Sequence, residues 1–189
     1  MNRSGSSVCG TSEQIGPLAF DTTNITTGEK MYRRRVNVRG IVWHNNKVLA
    51  VRHKKHDGKT ADYWAIPGGG LDPREKLEDG VKRELFEETG IKARVGRLMF
   101  IQQFSPPIEN PKSRYDEKLE FFFMVKNPED FAEIDLTKTS HGLEEIADIA
   151  FIDPKKERVK PGFLSEINIQ DYAESNQPVY FHTEFQDLD

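Results

Sequence analysis

Cysteine is almost missing from this chain: Cys9 stands alone among 189 residues. A single thiol excludes an intramolecular disulfide and a cysteine-built zinc site, and it suits a reducing cytoplasm. Long apolar runs are missing as well. No stretch of about 18 apolar residues exists, which excludes a membrane-spanning helix, so no membrane partner is expected. The Ser/Gly-rich segment 1–12 has no apolar core and does not read as a secretory signal. Nor does one sign of charge dominate. With 27 Lys+Arg against 31 Asp+Glu the formal charge is −4, which argues against a nucleic-acid partner held by bulk charge. A small polyanion held by a local site stays open.

Hydrophobic residues make up 36% and charged residues 31% of the chain. That is lean for a globular protein but rich for a disordered one, and the length suits one buried core. Residues 1–30, rich in Ser, Thr, Gly and Asn, read as a flexible N-terminal arm. Within it Ile15, Leu18 and Phe20 could dock, and a homodimer is a plausible setting for that. A domain over 31–175 and a C-terminal tail over 176–189 complete the expected organisation.

Residues 36–43 and 48–51 read as strands joined by His44-Asn45-Asn46-Lys47, since Asn tolerates positive φ. A charged loop over 52–62 follows. Then Tyr63-Trp64-Ala65-Ile66 runs into Pro67-Gly68-Gly69-Gly70, where regular structure must break. A helix is predicted over 75–89, ended by Gly90. Further strands are predicted over 95–104, 119–125 and 149–152, with a short helix within 162–172. Leu119, Phe121, Phe123 and Val125 alternate, but Phe122 and Met124 make the other face apolar too, so this strand is expected to be covered on both sides. The fold class is α/β, one domain with a mixed β-sheet.

The chemistry is concentrated around the predicted helix. At 100° per residue, Glu84, Glu87 and Glu88 share one face, beside an apolar stripe of Leu77, Val81 and Leu85. Gly80, one turn before Glu84, leaves room there for an approaching group. Three crowded carboxylates in the C-terminal half of a helix repel one another and oppose its dipole. A structural role explains this poorly, whereas a divalent cation explains it well, because Mg²⁺ prefers hard oxygen ligands and bridges carboxylates to phosphates. The preceding loop, with Gly69 and Gly70, lets backbone groups approach that metal or a substrate phosphate. Arg83 is placed to pair with Glu75 or to steady a neighbouring glutamate.

Gly69, Glu75, Arg83, Glu84, Leu85, Glu87, Glu88, Gly90 and Ile91 together resemble the Nudix hydrolase box, Gly-x5-Glu-x7-Arg-Glu-aliphatic-x-Glu-Glu-x-Gly-aliphatic, with every fixed position filled. A chance match in a chain of this length is on the order of 10⁻⁸. The order of elements over 32–161 is also similar to the Nudix α/β/α sandwich. The resemblance implies a MutT-like, Mg²⁺- or Mn²⁺-dependent pyrophosphohydrolase in which water attacks the pyrophosphate of a nucleoside diphosphate linked to another moiety. It implies that Glu84, Glu87 and Glu88 hold metal and help activate water, with the Gly68 carbonyl as a further ligand and Glu75 and Arg83 in support. The implied partner is a small-molecule nucleotide. ADP-ribose or a nucleotide sugar leads over a nucleoside triphosphate, because Pro106 and Pro107 lie fifteen and sixteen residues beyond Ile91, where ADP-ribose-cleaving members tend to carry proline. The alternative is a nucleotide-sensing regulatory module that kept the fold and lost turnover.

Outside the box, His141-Gly142-Leu143-Glu144-Glu145 is the place to look for a general base, with Glu145 the candidate and a solvated acidic turn the plain alternative. Glu117 and Glu120 are weaker candidates. Arg52-His53-Lys54-Lys55-His56 suits attraction of a polyphosphate or merely a wet loop. Arg52 is its best substrate contact, because it closes a strand, while His53 and His56 read as surface residues. Arg33-Arg34-Arg35 suits phosphate neutralisation or, preferably, the solubilising of an edge strand. Trp64, Phe104 and Tyr115 are candidates for stacking on a base.

Overall fold

The computed structural model describes residues 33–106, 114–140 and 142–185. The arm over 1–30, Pro107 and His141 therefore lie outside the described residues. The chain enters through β1 (Arg34–Ile41), turns at Val42 and continues through β2 (Trp43–His44) into β3 (Lys47–His53). Asn45 and Asn46 take φ of 51° and 60°, as a two-residue type I′ hairpin turn demands. The single strand read over 36–43 is divided at Val42, because β1 and β2 belong to different sheets.

Short strands β4 (Trp64–Ala65) and β5 (Gly68–Gly70) lead to α1 (Leu77–Thr89). The helix starts two residues later than predicted: Glu75 stays in the preceding turn, where its carboxylate accepts the Asp72 N–H at 3.0 Å. Gly90 ends the helix at φ 72°, its N–H donating to the Phe86 carbonyl. There follow β6 (Val95–Phe104), β7 (Glu117–Val125), α2 (Gly142–Glu145), β8 (Ile146–Ile152), β9 (Val159–Lys160), α3 (Ile169–Glu174) and β10 (Tyr180–Glu184). Among the described residues no helix is long and apolar enough to cross a membrane.

The first sheet runs β10-β6-β7-β1-β5 and the second β2-β3-β4-β9, with β8 also on β3. In the first, β1 is parallel to β7 but antiparallel to β5, so the sheet is mixed. β5 covers β1 only at residues 37–39, so Arg34 and Arg35 at its start have a strand partner on the β7 side alone, and Arg34 is exposed. One expectation changes here: β10 lies beyond residue 175, in the stretch read as a tail, yet pairs parallel with β6 to form the sheet's edge.

Adjacent residues of a strand point to opposite faces, and Phe122 and Phe123 of β7 show what each face meets. Phe123 joins Val38, Val81 and Leu85 in the cluster beneath α1. Phe122 joins Phe100, Trp64, Phe163 and Ile169 in a cluster that reaches the second sheet and α3. Helices thus lie on opposite faces of the sheet, which is the expected α/β/α arrangement. Val81 and Leu85 are fully buried, and each contributes about 1.5–3 kcal/mol toward holding α1 on the sheet.

Candidate active site

The glycine loop is positioned by close backbone packing. Gly68 has φ 129°, and a Cβ there would stand 2.3 Å from the Val38 carbonyl oxygen, so a side chain is excluded on both counts. Seated on β1, Gly68 donates its N–H to Glu88 Oε2 at 2.9 Å. A Cβ on Gly69 would lie 2.5 Å from Glu84 Oε2, so the loop runs directly over that carboxylate. Gly80 does not leave open room for a ligand, as its place on the helix suggested. Leu71, Glu75 and Val38 fill that space, and a Cβ would meet them at about 3 Å.

Arg83 organises the acidic face of α1. Its Nε and Nη2 bond the Glu75 carboxylate at 2.9 Å each, and Nη2 also reaches the Gly70 carbonyl. Its Nη1 bonds Glu84 at 2.9 Å and Glu87 at 3.2 Å. The Glu75 bond, with help from Glu84, raises the Arg83 pKa beyond its already high value. Burial pushes Glu84 up, against the pull of Arg83. Glu88 is different: 5% exposed, it has no ion pair among the described residues. Burial pushes its pKa up to about 8, with the Gly68 N–H and Arg39 opposing and the neighbouring carboxylates Glu84 and Glu145 reinforcing.

A cavity of about 460 Å³ opens onto this face. It is lined by the glycines Gly68, Gly69 and Gly70, by the carboxylates Glu84, Glu87, Glu88 and Glu145, and by Arg35, Asn37, Arg39, His53 and Lys118. Glu145 is an exposed residue at the end of α2, whereas Glu144 does not reach this lining. Among the described residues no three acidic or histidine side chains already close on one point as a metal cage; Arg83 holds Glu84 and Glu87 to itself. The donor set nevertheless fits a divalent cation. It offers hard oxygens only, and Glu88 among them has no ion pair among the described residues.

The floor contains residues that the sequence did not single out. Arg39 bonds Glu120 through Nε at 3.1 Å and Nη2 at 2.9 Å, and its Nη1 reaches the carbonyls of Ile66 and Gly68. Asn37 donates to Glu120 Oε1 at 2.7 Å. Burial pushes Glu120 up, but Arg39 and Asn37 outweigh it and hold the carboxylate below its usual range. Glu117 is taken by Arg34 and by Gln103. Neither of these two glutamates is left free to move protons. His53 does face the cavity; burial and Arg39 lower its pKa, against Glu145.

Arg52 stays outside that lining. Its guanidinium lies 4.3 Å over the Trp64 ring, with Nε buried and unbonded. Trp64 is thereby core, capped by Arg52, and offers no face to a base. Phe104 and Tyr115 are half-buried, and each faces a cation, Lys118 at 5.8 Å and Arg35 at 5.5 Å.

The sequence pattern of the NUDIX domain matches residues 33–165. Diphosphoinositol polyphosphate phosphohydrolase 3-alpha of Mus musculus is 45% identical over 38 residues, 20% of this chain and 23% of that protein. RNA pyrophosphohydrolase of Bartonella henselae is 37% identical over 75 residues, 37% of this chain and 41% of that one. The matches thus span less than half of these relatives. RNA pyrophosphohydrolase of Erythrobacter litoralis is 26% identical over 123 residues, 61% of this chain and 74% of that protein. The crystal structure of MutT protein from Methanosarcina mazei Go1 superposes with a TM-score of 0.55 at 20% identity, covering 79% of this chain and 100% of that one. That likeness shows a shared fold. With the domain pattern running through more than half of its length, across both sheets and the glutamate helix, the chain belongs to the NUDIX domain family.

Proposed function

We propose that this protein is a metal-dependent pyrophosphohydrolase that cleaves the pyrophosphate bond of a nucleoside diphosphate linked to another moiety, with ADP-ribose and nucleotide sugars ahead of nucleoside triphosphates as substrates. The observation that carries this reading is the cavity that brings Glu84, Glu87, Glu88 and the Gly68 backbone together, with Glu88 buried and without an ion pair among the described residues. Mg²⁺ or Mn²⁺ held by these groups would neutralise charge building on phosphoryl oxygens and make a water more acidic. The chain's own residues do the rest. Arg83, fixed by Glu75 and the Gly70 carbonyl, presents Glu84 and Glu87 toward the cavity. Gly69 and Gly70 allow a phosphate chain to lie close to the backbone. Glu145, at the rim and not engaged in an ion pair among the described residues, accepts the proton of the attacking water. The names of the relatives, phosphohydrolase and pyrophosphohydrolase, support this reaction class, and the single cysteine supports a cytoplasmic setting.

The test is a panel of ADP-ribose, UDP-glucose, a dinucleoside polyphosphate and nucleoside triphosphates with Mg²⁺, in isotope-labelled water, with products identified by mass. We expect release of a nucleoside monophosphate from ADP-ribose or a nucleotide sugar. Binding without hydrolysis across the whole panel would instead make the protein a nucleotide-sensing module.

A further inference from the structure

The register of β1 on β7 sets Arg35 directly beside Lys118, and both side chains line the cavity that the carboxylates face. Like charges placed side by side on neighbouring strands destabilise a sheet, so this pairing calls for a reason. The other cations of these strands have acid partners: Arg34 bonds Glu117, and Arg39 bonds Glu120. Arg35 and Lys118 have none among the described residues. Among the described residues the Arg35 side chain donates to the neutral Asn37 side chain, at 2.8 Å, and lies against the Tyr115 ring. Lys118 is half-buried over the Phe104 ring. Burial, with Arg35, Arg39 and Lys160 nearby, lowers its pKa despite Glu120.

The glycine loop is shaped around the same group. A Cβ on Gly70 would stand 2.9 Å from Arg35 Nη2, so a side chain there would displace the guanidinium. Arg35, Gly70 and Glu84 also line a second cavity, of about 410 Å³, on the Tyr115 side. The guanidinium therefore stands where the two spaces meet, next to the carboxylate wall. Two half-buried cations without acid partners among the described residues form a place that an anion completes.

We propose that Arg35 and Lys118 form an anion subsite that holds the phosphoryl group next to the one engaged at Glu84, Glu87 and Glu88. Each phosphate of a diphosphate then meets a wall of its own: one faces the carboxylates, the other the two cations. The inference deepens the pyrophosphohydrolase reading and rests on it for the identity of the ligand, but the subsite requires no metal. Arg35 and Lys118 are positioning residues: they orient the diphosphate and do not take part in proton transfer.

The experiment is calorimetric titration of the full chain with inorganic pyrophosphate in chelator, so that the carboxylate wall contributes no attraction. We expect Arg35→Met and Lys118→Met each to weaken binding about tenfold, and the double variant to abolish it, while Arg35→Lys and Lys118→Arg retain it. Glu87→Gln should bind pyrophosphate at least as well as the wild-type chain, because it removes a repelling charge. In phosphate-free buffer the Met variants should melt no lower than wild type, since each relieves a like-charge contact. Unchanged pyrophosphate affinity in the double variant overturns the subsite. So does a loss that the charge-conserving replacements fail to spare, for then damage to the fold is the cause. Failure of the enzymatic reading would show separately, as an absence of hydrolysis in wild type with the charge-dependent pyrophosphate binding intact.

Discussion

On the helix wall of the cleft one arginine serves three glutamates; on the strand wall two glutamates serve two arginines. Arg83 gathers Glu75, Glu84 and Glu87, while Glu88 has no ion pair among the described residues. Glu117 and Glu120 gather Arg34 and Arg39, while Arg35 and Lys118 have no ion pair among the described residues. The unmatched groups are of opposite sign and line one cavity, yet they do not pair with each other. The matched charges fix geometry; the unmatched ones are where ligands of the opposite sign gain most. A phosphate compound carrying a divalent cation has both signs to offer, one to each wall.

The largest expected effect breaks the helix wall. Glu87→Gln and Glu88→Gln should each lower kcat by roughly 10³-fold with the circular dichroism spectrum unchanged. Wild-type turnover in both would remove the assignment of these residues. Next comes the matched pair of the strand wall. Arg39→Met leaves the buried Glu120 with its Asn37 hydrogen bond but without its ion pair, which costs about 3–5 kcal/mol, or about 10 °C in melting temperature for a domain of this size. The double replacement Arg39→Met/Glu120→Leu should recover most of that loss, because the desolvated charge goes with its partner. If the single variant melts like wild type, the pair does not hold the floor.

The two walls should also answer pH with opposite signs. Glu88 is raised in the folded protein, so the metal-free fold keeps its full stability below the ordinary carboxylate pKa and loses it as pH climbs through about 8. Glu88→Gln should therefore melt like wild type near pH 5 and higher than wild type near pH 9, each value marking one side of the shift. Glu120 is lowered, so its contribution is present above the ordinary carboxylate pKa and disappears as pH falls through its folded value. The deficit of Glu120→Gln should thus be greatest at neutral pH and shrink in acid. A parallel pH response of the two variants would show that the walls are not different environments. The smallest effect separates two neighbours at the rim. Glu145→Gln should move the acid limb of the pH–rate profile, while Glu144→Gln, whose side chain is outside the cavity, should leave it in place.

What was legible beforehand follows from which interactions are local. The turn at Asn45-Asn46, the Gly90 cap and the one-sided glutamates of α1 depend on residues within a few positions of each other, and helical or turn geometry alone relates them. The two-faced apolar pattern of β7 was likewise readable, because a strand's alternation needs no partner to be seen. Asn37 and Arg39 escaped notice for the same reason reversed. Polar residues at every second position of a strand look like a solvent face, and only the register with Lys118 and Glu120, more than eighty residues away, turns that face into the floor of a cleft. Gly80 misled because an absent side chain looks like open space until Leu71 and Val38 are seen to occupy it.

The sequence by itself determined the helix, its acidic face and the glycine turn before it, since backbone geometry over some twenty residues dictates how those groups lie. Only the tertiary structure decided which charges are matched, which residues sit opposite the glutamates, and that β10 closes the sheet. Those outcomes depend on strand order and register, which bring together residues from distant parts of the chain and change the dielectric around them. A carboxylate's chemistry follows from that environment more than from its place in a motif.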